Sequence, residues 1–297
     1  MARNLDLTGS VSKSYNYPEK IGSYSDYYTG TCTRQGYALP KVIGIKALRA
    51  NVVYKDVLTN EFIENFRKHV ERWVTFDHAN VARCYGYALD CGPMPAIVMD
   101  YYHEGNIMQH IKAKHPSFEE KIKMVRDVAE GLGYLHALKP PVVHGDLRAA
   151  NIFVTKKGRA VIADYELAYI IPSKDYAGHV FEENTRWLAP ELLYEDNSTC
   201  TAASDVFAFA MTVIEITTNG IPFASKLDSV VLRLRDGDRR PDLPAEVLGC
   251  TWLSKLVQRC WDEEPSARPT ASRIVNVFIV RPYSLLTFIG RLTQLCT

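Results

Sequence analysis

An aspartate, an asparagine and a second aspartate stand in the run His144-Gly145-Asp146-Leu147-Arg148-Ala149-Ala150-Asn151 and, thirteen residues on, in Asp164-Tyr165-Glu166. Moving a phosphoryl group needs a cation on the donor phosphates, a metal held by hard oxygen ligands, and a carboxylate beside the attacking hydroxyl. Asp146 can accept the hydroxyl's proton, and Asn151 and Asp164 offer oxygens to Mg²⁺. Lys46, in Ile43-Gly44-Ile45-Lys46, supplies the cation from the middle of an apolar run. Each residue alone has a bland reading: a strand lysine lies on an exposed edge, and a loop aspartate forms a turn. Together, in this order and separation, the four point to phosphoryl transfer.

The elements that must position these groups differ along the chain. Residues 1–16 are polar, rich in Ser and Asn, and read as a loose lead-in. From 17 to about 100 the pattern is short and strand-like, with strands expected at Val42 to Leu48, Val81 to Leu89 and Ala96 to Met99. One helix interrupts them, because Leu58, Phe62, Phe66, Val70 and Trp73 recur at helical spacing. After Gly105 the pattern turns helical. Phe118 to Leu135 is one long helix, stopped by Pro140-Pro141. Ser204 to Thr217 is apolar nearly all round and should lie buried in the centre of its lobe. Trp252 to Trp261 and Ala271 to Val280 are two more helices. The fold class is α+β with two lobes: a small antiparallel β lobe with one helix over 17–100, and a larger, mainly helical lobe over 105–280. The cleft between the lobes is the natural ligand site.

Bulk properties narrow the field. A hydrophobic content of 47% is that of a folded globular protein, and a net charge of +1 leaves no electrostatic footprint for nucleic acid. The start of the chain is polar, which argues against a secretory leader, and no run of about 18 apolar residues exists to cross a bilayer. Seven scattered cysteines with no C-x-x-C spacing fit reduced thiols in a cytoplasmic or nuclear protein.

Ala189-Pro190-Glu191 completes the order of parts: Ile43 to Lys46, then His144 to Asn151, then Asp164, then Ala-Pro-Glu. From about Lys20 to Pro269 the chain resembles a eukaryotic protein kinase domain. The tyrosine-kinase-like group, in its expanded fungal form, is the best fit: His-Gly-Asp, the Trp187 to Glu191 run, and Cys260-Trp261 before Arg268-Pro269 all resemble it. The resemblance implies ATP and Mg²⁺, with protein substrates or signalling partners. It implies that Lys46 orients the phosphates, Asp146 serves as base or orienting group, and Asn151 and Asp164 hold metal. Met99 then lies at the back of the adenine pocket, and Asp100 to Tyr102 form the hinge whose backbone groups hydrogen-bond adenine. Asp205 would brace the catalytic loop backbone, and Glu191 would pair with Arg268. Tyr165, Tyr169, Ser173, Tyr176 and Thr185 are candidate phosphosites on the segment between Asp164 and Glu191.

The chain departs from the family's pattern at four places. The phosphate-covering loop keeps only Gly22, with Lys20 and Ser25 at the other two glycine positions. Tyr27 stands where a small branched residue usually roofs the adenine. The helix glutamate that pairs with the strand lysine falls at His69, and neither Glu64 nor Glu71 shares that face at about 100° per residue. Gly145 removes an arginine that would bind a phosphorylated activation segment, and Glu166 replaces the glycine after Asp164-Tyr165. Two readings follow: a working ATP-dependent kinase, or a pseudokinase that acts as a scaffold or allosteric module. For acceptor hydroxyls, Arg148-Ala149-Ala150-Asn151 has a tyrosine-kinase look, while the group as a whole modifies Ser and Thr, which is the preferred reading. Residues 281–297 leave the family, and Leu285, Phe288, Ile289, Leu292 and Leu295 recur there at helical spacing.

Overall fold

The computed structural model describes residues 5–21, 25–33, 41–49, 60–165, 184–194, 199–227, 231 and 239–281. The chain divides into two compact units, Met1–His103 and Glu104–Thr297. The architecture is α+β, with the sheet in the first unit and most of the helix in the second.

The first unit is built on strands β1 (Val11–Lys13), β2 (Lys20–Ile21), β3 (Ser25–Cys32), β4 (Ile43–Leu48), β5 (Cys84–Ala88) and β6 (Ala96–Asp100). Their order is β1-β3-β4-β6-β5, with β2 also on β3, and every pairing is antiparallel. β4 is central and buried on both faces. Alternation along it sends Ile43, Ile45 and Ala47 into a core with Leu7, Tyr28, Ala88 and Val98. The opposite face carries Gly44 and Lys46, with Tyr27 and Ile97 as direct cross-strand neighbours of Lys46.

Helix α1 (Asn60–Trp73) buries Phe62, Phe66, Val70 and Trp73, as the spacing predicts. It packs on β5 through an edge-to-face contact of Phe66 with Tyr87 at 5.8 Å. Burying one such ring stabilises by about 1.5–3 kcal/mol. Leu58, the expected first turn, lies outside the described residues.

One expectation for this unit is corrected. The lead-in is not loose from Leu5 on: Leu7 is fully buried, its N–H donates to the Tyr87 carbonyl at 2.8 Å, and Tyr87 N–H donates to the Leu5 carbonyl at 3.0 Å. β1 then pairs with β3. Gly86 permits this strap, because a Cβ there would lie 2.3 Å from the Leu5 carbonyl oxygen and its φ is 153°. A single buried leucine and a three-residue strand are too short for periodicity to register.

The second unit contains α2 (Ile107–Lys114), α3 (Phe118–Ala137), the hairpin β7 (Ile152–Val154) and β8 (Ala160–Ile162), α4 (Glu191–Tyr194), α5 (Ala202–Thr218), α6 (Ala245–Gly249), α7 (Thr251–Cys260) and α8 (Ala271–Val280). α3 starts on a capping box in which Ser117 and Glu120 satisfy each other's backbone N–H. α5 starts on Thr201 with Ser204 and ends at Asn219 in the left-handed conformation. α5 is buried almost throughout and packs against α3 and α7, and α8 lies on α3. The tail beyond Arg281 lies outside the described residues.

Candidate active site

Two carboxylates on the largely apolar α5 brace the loop that carries Asp146. Asp205, Thr212 and Glu215 fall on one helical face. The Asp205 carboxylate accepts the backbone N–H groups of His144 at 2.7 Å and Gly145 at 2.9 Å, and His136 Nε2 at 2.8 Å. Thr212 gives its one hydroxyl proton to the Ala208 carbonyl of its own helix at 2.8 Å, and its oxygen lies 3.4 Å from the Leu147 carbonyl. Glu215 accepts from Ala149 N–H at 2.8 Å and from the Trp187 indole at 2.7 Å. Burial pushes the Glu215 carboxyl up to about 7, against these two donors. His144 is buried and its Nδ1 accepts Asp146 N–H at 3.2 Å, with burial depressing its basicity. Gly145 holds φ at 79°, a conformation that disfavours any side chain.

Asp146 is gripped from two sides. Asn151 Nδ2 donates to its Oδ2 at 2.8 Å and to its carbonyl at 2.9 Å. Asn184 Nδ2 donates to Oδ1 at 3.0 Å, and the Arg148 guanidinium forms an ion pair with the same oxygen at 3.2 Å. Because a carboxylate only accepts, the orientation of both amides is set by chemistry. Both Nδ2 hydrogens of Asn151 are committed, which leaves its Oδ1 as the oxygen available to a cation. Asp164 is brought beside Asn151 by the β7–β8 hairpin, where Ala163 N–H donates to the Asn151 carbonyl at 2.9 Å. Asp164 itself sits at φ 66°, a left-handed conformation that aspartate adopts more readily than most non-glycine residues.

The other expected residues lie on the first unit. Lys46 is buried on β4. Met99 and Asp100 close β6, and Tyr102 is buried just beyond it. The Asp100 carboxylate accepts from Tyr85 Oη at 2.5 Å, and Tyr101 Oη donates to Glu19 at 3.0 Å. Burial, then that bond to Glu19, pushes the Tyr101 phenol up to about 12. His69 is tied into its own helix: Nδ1 lies 2.9 Å from the Asn65 carbonyl, and the ring meets Trp73 edge-on. Glu64 pairs with Arg67 at 3.0 Å. Gly22, Glu166, Tyr169, Ser173 and Tyr176 lie outside the described residues.

Glu191 and Arg268 meet in a two-pronged ion pair at 2.7 and 2.8 Å. Two candidate phosphosites are corrected, since Thr185 and Tyr165 are both buried and present no surface to another enzyme. Arg186, absent from the sequence reading, is buried beside Thr185 and donates to the carbonyls of Pro222, Phe223 and Lys226. Glu215 was missed as well. Its signal was available: a second carboxylate, ten residues from Asp205, on a largely apolar helix.

A family model described as protein tyrosine and serine/threonine kinase matches residues 20–278. The mouse serine/threonine-protein kinase TNNI3K is 29% identical over 259 residues, covering 86% of this chain and 30% of its own length. The probable serine/threonine-protein kinase qkgA of Dictyostelium discoideum is 31% identical over 234 residues, covering 73% of this chain and 14% of its own. The serine/threonine/tyrosine-protein kinase HT1 of Arabidopsis thaliana is 26% identical over 261 residues, with 86% and 63% covered. The chain thus spans about a third or less of the first two relatives. With its hallmark residues in order, Asp146 clamped by Asn151, and most of its length matched, the chain belongs to the protein tyrosine and serine/threonine kinase family.

Proposed function

We propose that this chain is a protein kinase that transfers the γ-phosphate of ATP to serine or threonine hydroxyls of protein substrates. The observation that carries this reading is the clamped Asp146 carboxylate. Asn151 and Asn184 each donate to one of its oxygens, so it is oriented before a substrate arrives. A carboxylate has about four acceptor positions. Oδ2 receives Asn151 and keeps room for the acceptor hydroxyl, whose proton it takes. Lys46 provides the ammonium for the donor phosphates. The freed Asn151 Oδ1 and the Asp164 carboxylate are hard oxygen donors that suit Mg²⁺. Mg²⁺, when bound, neutralises charge on the phosphates. The preference for Ser and Thr rests on the names of the relatives.

A pseudokinase is the second reading, and a specific observation favours it. His69 stands where the family's glutamate would pair with the strand lysine, and it bonds to its own helix instead. The deciding experiment incubates purified chain with ATP, Mg²⁺ and a generic acceptor protein, and reads intact mass beside an Asp146→Asn control. Phosphate added by the wild type and not by the control is expected, on Ser or Thr when mapped. Wild type and control equally silent on both the chain and the acceptor would put the interaction module in its place.

A further inference from the structure

Tyr27 is a large side chain at a position where its surroundings have been cut away to receive it. The residue is only 8% exposed. Its hydroxyl donates to the Asp100 carbonyl at 3.3 Å. Its ring lies over Gly44, where a Cβ would come within 2.4 Å of Tyr27 Oη and 3.0 Å of Cζ. The phenol therefore rests in a notch that exists because position 44 has no side chain. Tyr101 lies nearly parallel to it, with ring centroids 6.3 Å apart and planes 11° apart. Tyr27 is also the direct cross-strand neighbour of Lys46, so the ring and the ammonium-bearing chain share one face of the sheet.

Accepting the kinase reading, this face of the first unit is the wall against which a purine would lie, with the Asp100 carbonyl as the acceptor for its amino group. We propose that Tyr27 occupies that place and sets the nucleotide affinity of the chain. Its hydroxyl substitutes for the purine's amino group on Asp100, and its ring fills the volume over Gly44 that a base would need. A nucleotide binds once the phenol has swung out, so its affinity is reduced by the free energy of displacing Tyr27. The contact is reversible: it breaks one neutral hydrogen bond and removes one ring from a notch. Tyr27 and Gly44 thus form a complementary pair, with Gly44 matched to the tyrosine as much as to the strand.

The test is calorimetric titration of the full chain with adenosine and, separately, with ATP and Mg²⁺. It compares the wild type, Tyr27→Val and Tyr27→Phe, with unfolding midpoints recorded without ligand. Tyr27→Val is expected to bind adenosine at least about tenfold more tightly than the wild type, which is about 1.4 kcal/mol. Tyr27→Phe, which loses only the hydroxyl and keeps the packing, should fall between the two. Equal affinities across the three, or no adenosine binding by any of them up to millimolar concentration, would overturn the proposal. If Tyr27→Val does not fold, a Tyr27→Phe affinity equal to the wild type's does the same. Adenosine carries no phosphate and needs no metal, so this readout is independent of phosphoryl transfer. Tighter binding by the variants with no catalysis sinks the kinase activity and keeps Tyr27's role, and catalysis with unchanged affinities does the reverse.

Discussion

Removing Arg268 should destabilise the second unit far more than an ordinary arginine substitution, because every donor on its guanidinium is used. Nε donates to the Asp262 carbonyl, Nη1 to Glu191 and the Ala203 carbonyl, and Nη2 to Glu191 and the Glu263 carbonyl. The side chain is fully buried, whereas Glu191 keeps 23% of its side chain exposed. Breaking a buried ion pair by removing one partner costs about 3–5 kcal/mol. The partial exposure of Glu191 lets water recover some of that, so the expected cost of Arg268→Ala is about 3 kcal/mol. At roughly 2–4 °C per kcal/mol for a body of this size, the midpoint should fall by about 6–12 °C. Arg268→Lys keeps the charge but offers three donors in place of a planar fork, and should recover less than half of the loss. The assay is urea unfolding followed by tryptophan fluorescence, on Arg268→Ala, Glu191→Ala and the double variant. The double variant should cost clearly less than the sum of the two. A single-variant cost below about 1 kcal/mol, or strict additivity, would refute the reasoning.

Two further outcomes are expected. The Glu215 carboxyl is raised from 4.5 to about 7, chiefly by burial, so between those values the folded chain binds more protons than the unfolded one. Its contribution to stability therefore falls as pH rises through this window, and Glu215→Gln, always neutral, removes the slope. Between pH 5.5 and 8 the wild type should lose about 2 kcal/mol relative to the variant in urea unfolding, and parallel pH profiles would count against it. Leu7→Ala empties a fully buried site under the strap and should cost about 2–5 kcal/mol, whereas a change below about 0.5 kcal/mol would mean that the segment is loose after all.

The order Lys46, Asp146, Asn151, Asp164 was legible because phosphoryl transfer demands those residue types, and their separations are properties of the chain itself. Helices were legible for a similar reason: Phe62, Phe66 and Val70 on α1, and the all-round apolar character of α5, are local patterns. The pairs of Asp205 with the loop and Glu191 with Arg268 came from family resemblance, not from spacing, since each joins residues about 60 or more positions apart. Only the tertiary structure decided the rest. It placed Leu7 in the core, gave Glu215 to the loop, buried Thr185, and rested the Tyr27 hydroxyl on Asp100 over Gly44. Periodicity reports which face of an element is apolar, and carries no record of which distant group that face will meet. Tyr27 read from the sequence is a bulky residue at an odd position; the notch at Gly44 and the carbonyl of Asp100, contributed by two other strands, turn it into a specific contact.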